Sequence, residues 1–511
     1  MCTMFGKKWI ISVLAMSMIM PATAQKIIYS DPDKDDTRRL NFEIVGKING
    51  NFLIYKYVRN KSWITVLDND MKQIAREEQD YVPANDRVIN VDFFPYSDHA
   101  YMVYQYQKRN VVYCMASRID GNGKKTGDVI ALDTTHIGFA ANNKIYSVLS
   151  SEDKRRIGIF KINSRNRRQY LMTTLLLNDK LELLKKSRIE IPMEERNEHL
   201  GDFSLDNEGD IIFSKFLRTG NDNISSASFI IKKAAEDTLI VKSLNIEKTW
   251  LDEIHIKVDN YNKRYFLSSF YYKERRGNID GFYFYIWDKV GQQPIVENIS
   301  IFSDELRKEA RGDASMKTAF NDYFIRNIIT RRDGGFIIGS EAYYTTSRFN
   351  SWNRWDYLYG SPYLSPGFNN YYYSPYYDRF WWGGRSVNNQ SVRHHADNIT
   401  VLSFSNTGQL EWSNVMGKSQ FDDQSDELLS YQLMNTGGQI HFLFNQLERR
   451  YNLLTDYSIS PEGQMTRNPT LKNLDKGYEF MPKFGKQVSA KQMIMPCLYR
   501  NYICFAKIDY N

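Results

Sequence analysis

The densest concentration of side chains suited to chemistry lies between Thr345 and Asp397, and that chemistry is contact rather than catalysis. Trp352, Trp355, Tyr357, Tyr359, Tyr372, Tyr376, Trp381 and Trp382 each join an apolar face to a polar tip. Such groups suit partly wet contacts, stack on sugar rings and anchor interfaces. Pro362, Pro366, Pro375 and Gly360, Gly367, Gly383, Gly384 interrupt any regular period. Two readings fit: a surface for a partner protein or glycan, or a loop folded onto its own sheet as a private core. A loop of this length is normally functional or disordered, and disordered loops are poor in aromatics. The segment is therefore expected to be ordered at least when bound. It is also expected to be replaceable by a short linker without loss of the fold.

The other candidates carry less. Adjacent His394 and His395, with Asp397 nearby, could suggest a metal, but neighbours on an extended chain point to opposite sides. The runs Asp31-Pro32-Asp33-Lys34-Asp35-Asp36 and Asp422-Asp423-Gln424-Ser425-Asp426-Glu427 offer carboxylates for calcium or acid–base work. The first lacks the glycine and distal glutamate of an EF-type loop, and both read as solvated linkers. No nucleophile elbow, phosphate-binding loop or dinucleotide fingerprint occurs. No catalytic residue, metal ligand or cofactor is assigned. Cys497 and Cys504 flank a two-residue turn at Arg500-Asn501, which would set them opposite one another in a hydrogen-bonded pair. That pair is the less favourable one for bridging, so two buried thiols are expected over a disulfide.

The elements that must position these residues read as strands. Phe324–Gly339 and Val401–Trp412 are hairpins turning at Asp333-Gly334-Gly335 and Asn406-Thr407-Gly408. Together they make one four-stranded sheet, with the aromatic insertion, 345–397, between its second and third strands. Similar pairs of turns recur along the chain, the outer ones at Asp68, Asp120, Asn178, Glu236, Asp288, Asn406 and Pro461, at intervals of roughly 55 residues except across the aromatic insertion. In the third module the first turn is expected at Asn142-Asn143. One four-stranded sheet cannot bury both faces, whereas a ring of them can. The expected fold is therefore all-β: a single β-propeller of eight, or seven, four-stranded blades spanning 25–511. Two stacked β-sandwiches are the alternative, but no linker divides the chain. The last module stops one strand short at Asp509-Tyr510-Asn511. The strand Lys26–Ser30 can supply what is missing and close the ring.

Residues 1–24 read as a signal peptide: Lys7-Lys8, a short apolar run from Trp9 to Met20, and Ala22-Thr23-Ala24 before Gln25. No later stretch is apolar enough to cross a bilayer. The net charge of +7 is mild for 511 residues and includes Lys7 and Lys8. With no basic stripe, nucleic acid is not expected as a partner.

The Asp-Gly-Gly-Phe-Ile-Ile-Gly run at 333–339 and Asn-Thr-Gly-Gln-Leu-Glu-Trp at 406–412 resemble the repeats of exported β-propeller proteins of the Bacteroidota. The Ala-Gln junction at 24–25 is similar to theirs, and Asp133-Thr134-Thr135 and Asp237-Thr238-Leu239 resemble O-glycosylation sites of that group. The resemblance implies fold and compartment and no particular activity. The expected function is a non-enzymatic binding module at the cell envelope, periplasmic or outer-membrane associated and possibly extracellular, with an envelope protein or glycan as partner. A polysaccharide-active enzyme with carboxylates in the central funnel is the alternative, as is a structural subunit of an outer-membrane assembly.

Overall fold

The computed structural model describes residues 25–33, 41–84, 86–141, 144–166, 169–195, 197–219, 222–347, 352–359, 372–373, 392–423, 425–448, 451–469 and 477–510. They form a repeated antiparallel unit of four strands. The first unit is Asn41–Ile48, Asn51–Val58, Lys61–Leu67 and Gln73–Glu78, paired in chain order. The same order holds for 87–136, 147–192, 323–422 and 431–467. A nine-stranded sheet consists of two further units, 198–243 and 250–301, joined by a bridge between Ile224 and Leu251. In the last sheet, Tyr478–Phe480 and Lys486–Ser489 share the first position beside Gln492–Tyr499, followed by Tyr502–Asp509. Its outermost strand is Lys26–Tyr29, with Lys26 opposite Asp509 and Tyr29 opposite Ala506. The N-terminal strand thus pairs where the sequence leaves an open edge.

One turn recurs between third and fourth strands. Asp68 accepts the N–H groups of Asp70 and Lys72 on one carboxylate oxygen. Asp120 does the same for Asn122 and Lys124, Asn178 for Lys180 and Glu182, and Ser405 for Thr407 and Gln409. Asp206 repeats the pattern between a first and a second strand. A short side-chain acceptor in this position replaces a backbone turn. The fourth residue is then left-handed: Gly123, Gly209 and Gly408 take it freely, whereas Met71 and Leu181 hold φ of 61° and 62°. At Gly408 a side chain is also sterically barred, because Phe284 of the preceding unit lies against the turn.

Hydrophobic cores lie between consecutive units rather than within them. Val45, Leu53 and Ile64 of the first unit pack with Val91 and Met102 of the second. Val112 and Cys114 continue to Ile157 and Leu175, and Phe160 and Met172 to Phe203 and Phe213. Phe229 meets Tyr265 and Trp287, Phe266 and Phe284 meet Phe336 and Phe404, and Ile399 meets Phe442. Met434 and Leu454 pack with Met493 and Cys504 of the last sheet. That sheet in turn sets Ile494 and Phe505 against Phe42 and Phe52 of the first unit. Each sheet therefore buries both faces on its neighbours. A helix, Asp304–Ala310, capped by Ser303, fills one connection and buries Leu306 and Ala310. No helix among the described residues is long and apolar enough to cross a membrane.

The third unit departs from the expected register. Its first hairpin turns at Ser151–Arg155, where Ser151 Oγ accepts the Arg156 N–H and Asp153 the Arg155 N–H. Asn142-Asn143 lies outside the described residues, in the connection before the Ser147–Ser150 strand. Two Asn in a row signal a bend equally well in a connection and in a hairpin.

Candidate binding face

In an up-and-down unit, the turn between strands two and three shares an end with the connection to the next unit. The aromatic insertion leaves the scaffold at this end. Its flanking strands run further than the sequence suggests: Phe336–Ser347 and Val392–Phe404 stay paired to their tips, with Thr345 opposite His394 and Ser347 opposite Val392. The insertion is therefore 348–391, shorter than 345–397. The polar residues at 345–347 and 393–395 hide this pairing, because they break the apolar alternation by which a strand is read.

The insertion's first turn is fastened to the scaffold. Trp352 donates its indole N–H to Asp322 at 2.8 Å and meets Phe324 and Tyr343 edge-on. Trp355 packs on Tyr272 and the core between the fifth and sixth units. Between them, Arg354 is buried. Its guanidinium pairs with Asp252 of the fifth unit, between the strands Trp250–Leu251 and His255–Asp259, donates to the Asn321 and Tyr323 carbonyls, and lies 4.0 Å over the Phe324 ring. Asp252 also accepts from Tyr272 at 3.1 Å. These contacts argue against the expectation that the whole insertion can be removed without loss of the fold. Its first residues are core, and a guanidinium at their centre neutralises a buried carboxylate.

Tyr357 and Tyr359 belong to a short helix, Arg354–Tyr359, where the sequence suggests no regular structure. Tyr372 and Tyr373 pair with Asn163 and Ile162 of the third unit. The insertion thus links the sixth unit to the third. Tyr376, Trp381 and Trp382 lie outside the described residues.

The remaining candidates serve local structure. His394 meets the Tyr343 hydroxyl at 2.8 Å, whereas His395 stacks on Tyr344 and meets Thr346 at 3.1 Å. The two rings diverge as adjacent strand residues must. Asp397 accepts from Tyr344. Asp423 pairs with Arg393, Asp426 with Lys483, and Asp422 accepts the Ser425 N–H. No group of three potential metal ligands occurs among the described residues. Asp202, on the first strand of the fourth unit, has its carboxyl pushed up to about 6 by burial. It accepts the Ile256 N–H from the next unit's first strand, which makes it a link between units. Cys497 and Cys504 are opposite one another, buried, with their sulfurs 2.9 Å apart as free thiols.

The sequence reading missed a set of tyrosines at the same end of the molecule. Tyr106 stacks on Tyr113 at 5.0 Å across the second unit's hairpin. Tyr29 stacks on Tyr478 at 4.0 Å, and Tyr478 lies beside Tyr499 in the last sheet. All are half-buried, and Tyr502 is 47% exposed. The signal was present: Arg59-Asn60, Arg109-Asn110 and Arg500-Asn501 each turn a second strand into a third, and Tyr57, Tyr106, Tyr113, Tyr499 and Tyr502 flank them. Arg59, Asn60, Arg500 and Asn501 all have positive φ, as a two-residue hairpin turn requires.

No family model and no curated protein matches the chain. Among solved structures, a eukaryotic initiation factor aligns over 93% of this chain and 91% of its own, with 9% identity and a TM-score of 0.40. The Nup133 β-propeller domain of Vanderwaltozyma polyspora aligns over 83% and 100%, with 10% identity and a TM-score of 0.37. Prolyl oligopeptidase B from Galerina marginata aligns over 94% and 56%, with 8% identity and a TM-score of 0.38. Likeness at this level carries no argument about what the chain does.

Proposed function

We propose that the chain is an exported, non-enzymatic β-propeller of eight blades that binds a protein or glycan at the bacterial cell envelope, using the face from which the insertion emerges. Ring closure is supported by the pairing of Lys26–Tyr29 with Tyr502–Asp509 and by the core that the last sheet shares with the first. Export is supported by the Lys7-Lys8, apolar and Ala22-Thr23-Ala24 pattern.

The observation that carries the binding reading is the sharing of one end by two aromatic features. One half-exposed tyrosine pair lies at the second unit's hairpin tip and another beside the last unit's hairpin, at the end from which the aromatic insertion leaves the sixth unit. Tyr presents a large rigid face at low entropic cost, with a hydroxyl left for a polar partner. The experiment is co-purification from native membranes after mild crosslinking, run beside a glycan array. Parent protein is compared with a Tyr106→Ala/Tyr113→Ala variant and with a variant lacking 360–391. Loss of a captured protein or glycan in either variant, with the melting temperature kept, is the expected result. Capture unchanged in both overturns the assignment of this face.

A further inference from the structure

A buried carboxylate in the seventh unit has an unusual fourth partner. Asp456, on the strand Tyr451–Ile459, is fully buried. It meets His441 Nδ1 at 3.1 Å, and accepts from the Tyr510 hydroxyl at 3.2 Å and from Asn468 Nδ2 at 3.1 Å. The remaining donor is the side-chain amide of Gln25, from the other end of the chain. Gln25 directly follows Ala22-Thr23-Ala24, and strand pairing begins with the next residue, Lys26. The residue that processing would expose is thus the one whose side chain completes the cage around Asp456.

We propose that this cage is the seat of the mature amino terminus, and that it holds Gln25 in a form that resists cyclisation. The proposal rests on the export reading above. An amino-terminal glutamine cyclises when the lone pair of its α-nitrogen attacks its own side-chain carbonyl carbon Cδ. The N–Cδ bond forms, the Cδ–Nε2 bond breaks, and Nε2 leaves as ammonia with a proton from the amine. No co-reactant is needed. The step requires the side chain to fold back on its own backbone. In the seat, the side chain instead reaches to the seventh unit, and the leaving nitrogen is the atom held by Asp456. Cyclisation from the folded state must first break the hydrogen bond that Gln25 donates to the buried Asp456 side chain.

The test uses the full chain, leader included, produced in an exporting bacterium. Amino-terminal sequencing and intact mass are followed at neutral pH, for the native protein and for the same protein kept in denaturant. The expected result is a chain that starts at Gln25 and loses one ammonia more slowly when native, by about tenfold or more. Equal rates in both conditions overturn the seat but leave export standing. A chain that starts elsewhere, or keeps its leader, overturns the processing reading and the seat with it. Asp456→Asn should speed cyclisation in the folded protein, and an unchanged rate in a folded variant overturns the role of Asp456. If that variant does not fold, the native and denatured parent still decide.

Discussion

Arg354 and Asp252 stand 102 residues apart in sequence, and both are buried where they meet. The pair joins the start of the aromatic insertion to the fifth unit, at the link between Trp250–Leu251 and His255–Asp259. Removing one partner strands the other charge in a low-dielectric site. Arg354→Ala is therefore expected to cost about 3–5 kcal/mol. Chemical denaturation of the single variants and of Arg354→Met/Asp252→Leu checks this. The double variant should recover much of the loss.

The terminal strand gives a second prediction. Ile27, Ile28 and Tyr29 are each half-buried against the last sheet and its neighbours. Such side chains contribute about 1 kcal/mol each when partly buried, so a chain lacking 25–33 should lose about 3 kcal/mol. Its last sheet should also become the first site of proteolysis, because Tyr502–Asp509 is left as an open edge. Equal melting and equal protease resistance in the shortened chain would contradict the pairing.

A third prediction concerns pH. Burial, with Arg218 adding to it, pushes the His199 imidazole down to about 4. The folded state therefore refuses a proton that the unfolded chain accepts below its ordinary value of 6.5. Stability rises with pH wherever the unfolded state binds more protons. The His199 contribution is thus fully lost by pH 4 and recovers as pH rises through 6.5. His199→Gln should flatten the melting-temperature profile across that window and leave it unchanged above. A variant with the parent's slope between pH 4 and 6.5 would show that His199 titrates normally.

The repeat, its turns and the pairing of the chain ends were legible because each rests on local signals. Asp68, Asp120 and Asn178 stand at their turns for reasons contained within five residues, and alternation sets which face each strand buries. The Arg-Asn hairpin turns at 59–60 and 109–110 were equally local, yet passed unnoticed because neither contains glycine. The role of the insertion's first turn could not be read. An Arg and an Asp in separate loops are ordinary residues until the fold sets them together. Trp412 shows the same limit. Its ring packs on the turn at Gly463, where a side chain has no room, and its indole donates to Pro461. Sequence alone offers only the spacing from Gly408 to Trp412.

The last prediction separates the two halves of the insertion. Trp352 and Trp355 pack on the scaffold and Arg354 pairs with buried Asp252, so these three residues anchor the start of the insertion. Beyond it, the described contact is the short pairing of Tyr372–Tyr373 with Ile162 and Asn163, which carries few backbone hydrogen bonds. Replacing 360–391 with a short Gly-Ser linker should keep the melting temperature within a few degrees of the parent, because loop closure depends weakly on length. Replacing 345–397 should lower it sharply, because Asp252 then loses its partner and the hairpin tip at Thr345–Ser347 is cut away. If the two replacements melt alike and close to the parent, Arg354 is not an anchor. If both unfold the protein, the segment beyond Tyr359 is core as well, and its aromatics are not free to meet a partner.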